Sequence, residues 1–141
     1  MRQLSLIEDI LRLSGVMAAI RAAMREAAGA EESEGRKLLT DRLNEVSHRA
    51  GIKLTAGNTS GISKATLDKW LSPTDTSHPP SILALLAFCK ATGNLEPLRV
   101  AAQALGVDLM TREDRRLRDY AQAILDERAA RQRKNKLEKE L

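Results

Sequence analysis

The sequence predicts an all-α fold: a helix-turn-helix-containing helical domain with an N-terminal helical extension and a long, charged C-terminal helix. Three observations predict it. Apolar residues recur at spacings of three and four along most of the chain, the mark of one-sided helices. Aromatic residues are 2% of 141 positions (Trp70, Phe88 and Tyr120), so Ala and Leu carry the core. That suits helix packing better than the aromatic and β-branched needs of sandwiches and barrels. Gly51, Gly93 and Gly106 fall where periodic runs end, the place of a helix-stopping glycine. The organisation implied is an extension over 1–15, a domain over 16–110 and a charged helix over 111–141.

Residues 3–28 read as helix. Leu6, Ile10, Leu13, Met17, Ile20 and Met24 alternate four and three apart, a seam of period 3.5 that Ile7 and Leu11 widen. The seam suits packing on the chain's own core and suits a homo-oligomer contact through Leu6, Ile10, Leu13 and Met17. Ser14-Gly15 is placed to bend or divide this helix, because an interior glycine costs about 1 kcal/mol. A loop over 29–35 follows, with Ser33 as an N-cap residue and Glu34 as a first-turn charge. The next helix runs to Ala50, and Leu39, Leu43, Val46 and Ala50 form its buried stripe. Residues 51–61 hold Gly51, Gly57 and Gly61 and form a loop, in which Ile52 and Leu54 alternate as in a brief extended stretch.

Helix Ser63–Leu71 opens on an N-cap serine, with Ile62 and Leu67 spaced as a hydrophobic staple. Ser72-Pro73 ends it, since a residue before proline avoids the helical region. After a polar loop, Pro80 occupies an N1 position and opens the apolar run Ile82–Thr92. Hydrophobicity on every side of that run places it at the centre of the core. A helix over Leu95–Leu105 tolerates Pro97 in its first turn, and Gly106 stops it. Thr111 opens the last helix, with Glu113 and Asp114 in the first turn. Its apolar face, Leu117, Ala121, Ile124 and Leu125, fades after Arg128, so 128–141 reads as solvated helix or frayed tail.

Net charge is +4 and pI about 9.5. The basic excess is local: residues 36–90 hold eight basic and four acidic side chains, whereas residues 1–35 hold four and six. Such a balance permits a polyanionic partner. Cys89 is the single cysteine, so no intrachain disulfide exists and a reducing, cytoplasmic setting is expected. No signal peptide and no membrane-spanning run is read. His48, His78 and Cys89 match no zinc spacing, so no metal or cofactor is expected. No nucleophile elbow, phosphate-binding glycine loop or paired carboxylates appear, and enzymatic activity is not expected.

The candidate site lies on Ser63–Leu71. Leu67, Trp70 and Leu71 share one face, with Thr66 at its margin, and Lys64, Ala65, Asp68 and Lys69 share the other. An N-terminus with unpaired N–H groups suits a phosphate. Lys64 and Lys69 suit phosphates or guanine edges, Ala65 a thymine methyl, and Asp68 the cytosine amine. Arg42, Arg49 and Lys53 flank as backbone contacts. The same pattern also fits any capped surface helix of a bundle, and the loop before it exceeds the ~3–4 residue turn of a simple helix-turn-helix.

Three segments carry a resemblance: Leu39-Thr-Asp-Arg-Leu-Asn-Glu, Ser63-Lys-Ala-Thr-Leu-Asp-Lys-Trp-Leu-Ser72 and Leu85-Leu-Ala-Phe-Cys-Lys-Ala-Thr-Gly-Asn94. In this order they resemble small regulatory DNA-binding proteins of Mu-like transposable phages and prophages, over roughly residues 16–110. The resemblance implies a helix-turn-helix of the phage-repressor type, with Ser63–Leu71 as recognition helix and Leu39–Ala50 before it. Double-stranded DNA and a second copy of the chain are the partners implied. Two other readings remain: a helical protein-interaction module, or an architectural DNA binder. The tail cations Arg128, Arg131, Arg133, Lys134, Lys136 and Lys139 alternate with glutamates near the end and suit a solvated helix or a basic arm that adds salt-dependent, sequence-independent DNA affinity.

Overall fold

The computed structural model describes residues 13–30, 33–57 and 61–141. Leu6 and Ile10 of the expected seam lie outside them. The described residues form six helices and no strand: α1 Val16–Ala28, α2 Glu34–Ala50, α3 Lys64–Leu71, α4 Ile82–Thr92, α5 Glu96–Gln103 and α6 Arg112–Glu140. They divide into two compact units between Asp108 and Leu109. No described helix is long and apolar enough to cross a membrane.

In the first unit α1 packs chiefly on α5, and α2 on α4. Met24, Leu43, Leu67 and Phe88, one from each of four helices, have no exposed surface and form the centre. Gly15 separates α1 from Leu13 and Ser14, so the long first run is divided where glycine weakens it. Leu13 (48% exposed) and Met17 (39%) stand off the core, while Ile20 and Met24 enter it. Glycine conformation matters most at the end of α2. With φ +65° at Gly51, Ile52 N–H reaches Ser47 O at 3.1 Å and Gly51 N–H reaches His48 O at 3.3 Å. This paired pattern closes a helix and satisfies its last carbonyls.

Four expectations need correction. Ser33 holds the N-cap position of α2 but its hydroxyl donates to Ala30 O at 2.6 Å instead of capping. The buried stripe of α2 is turned: Arg36, Leu39, Thr40, Leu43 and Ser47 are buried, Val46 is half-buried and Ala50 is exposed. Pro80 is not N1 of α4. Ser81 is the N-cap, its hydroxyl accepting Ala84 N–H at 3.1 Å, and Pro80 is buried ahead of it. Finally, α4 is not enclosed. Ala84, Ala87, Phe88 and Cys89 are buried, but Ile82 is 78% exposed and Leu83 and Leu86 nearly half. Its neighbours α1, α2 and α5 cover one side only.

The expected brief extended stretch does not form a strand among the described residues of 51–61. Polar side chains of α2 fix the loop instead. Ser47 Oγ donates to Ile52 O at 2.6 Å, and Leu54 is buried. At the far end Asn44 pairs with both backbone groups of Ile62, donating to its oxygen at 2.9 Å and accepting from its N–H at 2.8 Å. The long connection is therefore anchored to α2 at each end.

The second unit contains α6. Thr111 and Asp114 form a reciprocal capping box, each side chain accepting the other's backbone N–H at 3.1 Å. The helix continues to Glu140, so 128–140 is helical and solvated rather than frayed. Pairs Arg131–Glu127 (3.1 Å) and Lys134–Glu138 (3.9 Å) sit along it at one-turn spacing. None of its residues is buried.

Two stability predictions arise. Gly61→Ala would place a methyl carbon 2.8 Å from Asn44 Oδ1, displacing the double contact with Ile62. Chemical denaturation is expected to show a loss of about 1–3 kcal/mol, and Asn44→Ala should lose a comparable amount. Phe88→Ala empties the fully buried centre and is expected to cost about 3–5 kcal/mol in the same measurement.

Candidate nucleic-acid interface

Helix α3 is built as its sequence dictates at both ends. Ser63 Oγ accepts Thr66 N–H at 3.2 Å, and Ser72, before Pro73, leaves the helical region at ψ 129°. Leu67 (0% exposed), Trp70 and Leu71 point into the core, and Ile62 is buried beside them. The inner face expected from the sequence is therefore the observed one.

The outer face is smaller than expected. Ala65 and Lys69 are exposed, with Ser63 exposed at the N-terminus and Thr66 half-buried. Asp68 is not an outward acceptor. Its Oδ1 binds Arg36 NH1 at 2.8 Å and its Oδ2 binds Lys64 Nζ at 2.9 Å. Burial pushes the Asp68 carboxyl up, but the hydrogen bonds and charges of Lys64 and Arg36 outweigh it and hold it below the usual carboxylate range. Lys64 folds back onto this pair, with its side chain one-third exposed. The fixed charge of the outer face is thus Lys69.

Arg36 itself is 6% exposed and also donates from Nε to Gly29 O at 3.1 Å. It joins the α1–α2 connection to α3. Two further arginines hold the other end of α3. Arg25 donates to Leu71 O at 2.8 Å, and Arg21 donates to Ser72 O at 3.4 Å and to Asp75 O. Cations on terminal carbonyls also oppose the negative end of the helix dipole. Sequence reasoning missed these clamps. Their one available signal was the i, i+4 pair Arg21 and Arg25 bordering the stripe Ile20 and Met24.

A cleft of about 460 Å³ adjoins the outer face. Lys69, Thr66, His78, Ser77, Ser81 and Thr55 supply its polar groups beside Leu54, Ala56, Trp70 and Pro79, and among the described residues no carboxylate lines it. Asp75 stands behind His78, 3.0 Å from Nδ1, and its carboxylate also accepts the N–H groups of Ser77 and His78. Among the described residues no three His, Cys, Asp or Glu side chains gather. Cys89 is buried, which pushes its thiol up, away from the reactive thiolate form.

The flanking cations do not converge on α3. Arg42 and Arg49 lie on the edge of α2 that borders α4. With Lys90 they rim a groove of about 650 Å³ floored by Val46, Ala50 and Ala91. Asn44 and Arg36 occupy the opposite edge, which faces α3. Lys53 is exposed in the loop after α2. The expected set is therefore split: Ser63, Ala65, Thr66 and Lys69 share one surface, and Arg42 and Arg49 another. His78 and Lys90, one beside each surface, were not singled out as DNA contacts by sequence.

No family model, curated protein or solved structure matches this chain.

The Arg36–Asp68 pair predicts a pH and mutational response. Asp68→Asn removes the charge partner of a nearly buried guanidinium. Because Asp68 keeps about a fifth of its side-chain surface in solvent, the expected loss is about 1–3 kcal/mol rather than a fully buried pair's. A carboxyl lowered by folding stabilises above its unfolded pKa, and that contribution disappears as pH falls through the lower folded value. The stability difference between parent and Asp68→Asn should thus shrink as pH falls from 6 into the acid range below the usual carboxylate value; a difference independent of pH would contradict the assignment.

Proposed function

We propose that this chain is a double-stranded DNA-binding protein that presents the outer row of α3 to the duplex, in the manner of a helix-turn-helix regulator. One observation carries the reading: Ala65 and Lys69 stand outward on a short, rigidly clamped helix beside a cleft that offers hydroxyls, the His78 imidazole and, among the described residues, no carboxylate. A major groove takes one helix and rewards such a face. Lysine suits a phosphate or guanine edge, and alanine leaves room for a thymine methyl. Thr66, Ser77 and His78 in the same cleft carry donors that suit phosphate oxygens. The regulatory role comes from the resemblance of three segments to proteins of Mu-like phages and prophages.

The clamps support this use, because a reading helix gains specificity only if its angle is fixed. Arg42 and Arg49 leave the contact set, and Asp68 and Lys64 become the residues that orient it. A second reading, a protein-interaction module, draws on α6, where Leu117, Tyr120 and Leu125 are each more than half exposed.

The test is a titration of labelled duplexes, many sequences, at two salt concentrations. Lys69→Ala is expected to weaken binding several-fold and to lower the salt slope by about 1, as loss of one phosphate contact requires. His78→Ala should weaken binding less. No binding by the parent at low salt would sink the proposal. Binding unchanged in a Lys69→Ala/His78→Ala double variant would move the site elsewhere, and equal affinity for all duplexes would favour an architectural role.

A further inference from the structure

The groove between α2 and α4 is unclaimed by the α3 surface, and it has two kinds of chemistry. Its floor is apolar, with Val46, Ala50 and Ala91. Along α4 the apolar surface continues: Ile82, Leu83 and Leu86 are exposed, and Leu86 lies one turn before Lys90. Its rims carry three cations, Arg42, Arg49 and Lys90, and one carboxylate, Glu45. Arg42 projects from α2 and Lys90 from α4, and among the described residues neither meets a carboxylate. Arg49 is different: Glu45 holds it at 2.8 Å. A phosphate backbone would satisfy the cations and leave the leucines against water. An amphipathic acidic helix would satisfy both.

The chain carries such a segment. Residues 4–11 read Leu-Ser-Leu-Ile-Glu-Asp-Ile-Leu. At helical spacing Leu6, Ile7, Ile10 and Leu11 share one side, and the two carboxylates fall on opposite edges of it, Asp9 on one and Glu8 on the other. An apolar strip edged by two acids matches an apolar floor edged by Arg42 and Lys90. Leu13, next to this segment, is 48% exposed and stands off its own core.

We propose that residues 4–11 of a second copy occupy the α2–α4 groove, with Glu8 and Asp9 against Arg42 and Lys90. The exchange is reciprocal, each copy's segment entering the other's groove, which closes a two-fold dimer. The expected seam residues Leu6 and Ile10 thereby acquire a receiving surface, instead of pairing with each other along a coiled coil. The inference does not rest on DNA binding, since the groove and the α3 face share no residue.

The experiment is sedimentation velocity of the full chain over a range of concentrations, without DNA. The parent is expected to dimerise. Arg42→Glu/Lys90→Glu is expected to weaken association roughly tenfold or more, and Glu8→Lys/Asp9→Lys to do the same, because each opposes like charges across the contact. Combining all four reversals should restore association to within about threefold of the parent, as a charge exchange requires. Circular dichroism of each variant checks that these exposed changes leave the helices intact. A monomeric parent at about 100 μM, unchanged association in either double variant, or failure of the fourfold variant to recover would overturn the proposal. So would groove variants that lose duplex affinity while associating normally, which would make the groove a nucleic-acid contact.

Discussion

Asp68 holds Arg36 with one carboxylate oxygen and Lys64 with the other, and the orientation of α3 depends on this arrangement. Arg36 sits almost wholly out of water, where an unpaired guanidinium is strongly disfavoured. Any rotation of α3 that frees Asp68 leaves that charge without its partner. Nε of the same guanidinium is spent on Gly29 O, so the constraint extends back to the end of α1. A helix of eight residues has little stability of its own, and tertiary contacts must hold it.

The other polar contacts make sense around that pair. Asn44 fixes the entry to α3 and Arg25 its exit, one from α2 and one from α1. Together with the buried Leu67, Trp70 and Leu71 they fix tilt, rotation and depth. The glycine-rich connection, long for a helix-turn-helix, does not loosen the geometry, because its ends are tied to the same helix α2. Gly61 is required at this junction by closeness rather than by backbone angle: Asn44 leaves no room for a side chain.

Helix α2 separates two surfaces of different character. One edge carries the clamps to α3, whose outer face borders a cleft of mixed hydroxyl and apolar lining with no carboxylate among the described residues. The other carries Arg42 and Arg49 toward α4 and borders an apolar floor rimmed by three cations and Glu45. Charge alone does not distinguish them, since both are basic. What differs, among the described residues, is the polar company of each cation: hydroxyl groups and His78 stand with Lys69 among apolar side chains, whereas the lining around Lys90 has no hydroxyl and includes Glu45. That difference is the reason for assigning the two surfaces to different partners.

The sequence by itself determined the elements that depend on near neighbours. Helix ends at Ser63, Gly51, Gly93, Gly106 and Thr111 come from capping residues acting within one turn, and the inner face of α3 comes from helical period. The tertiary structure decided everything that needed two elements at once. Polarity put Lys64 and Asp68 on the outer face of α3; Arg36, thirty-two positions upstream, drew Asp68 inward and Lys64 after it. Basic character placed Arg42 and Arg49 beside α3; the turn of α2, set by burying Arg36 and Ser47 rather than Ala50, sent them toward α4. Uniform hydrophobicity placed α4 at the centre, yet only three helices cover it, and Ile82, Leu83 and Leu86 remain in solvent. Periodicity assigns a residue to a side of its own helix. Which neighbour, or how little of one, meets that side is fixed by long-range pairing that no local pattern encodes.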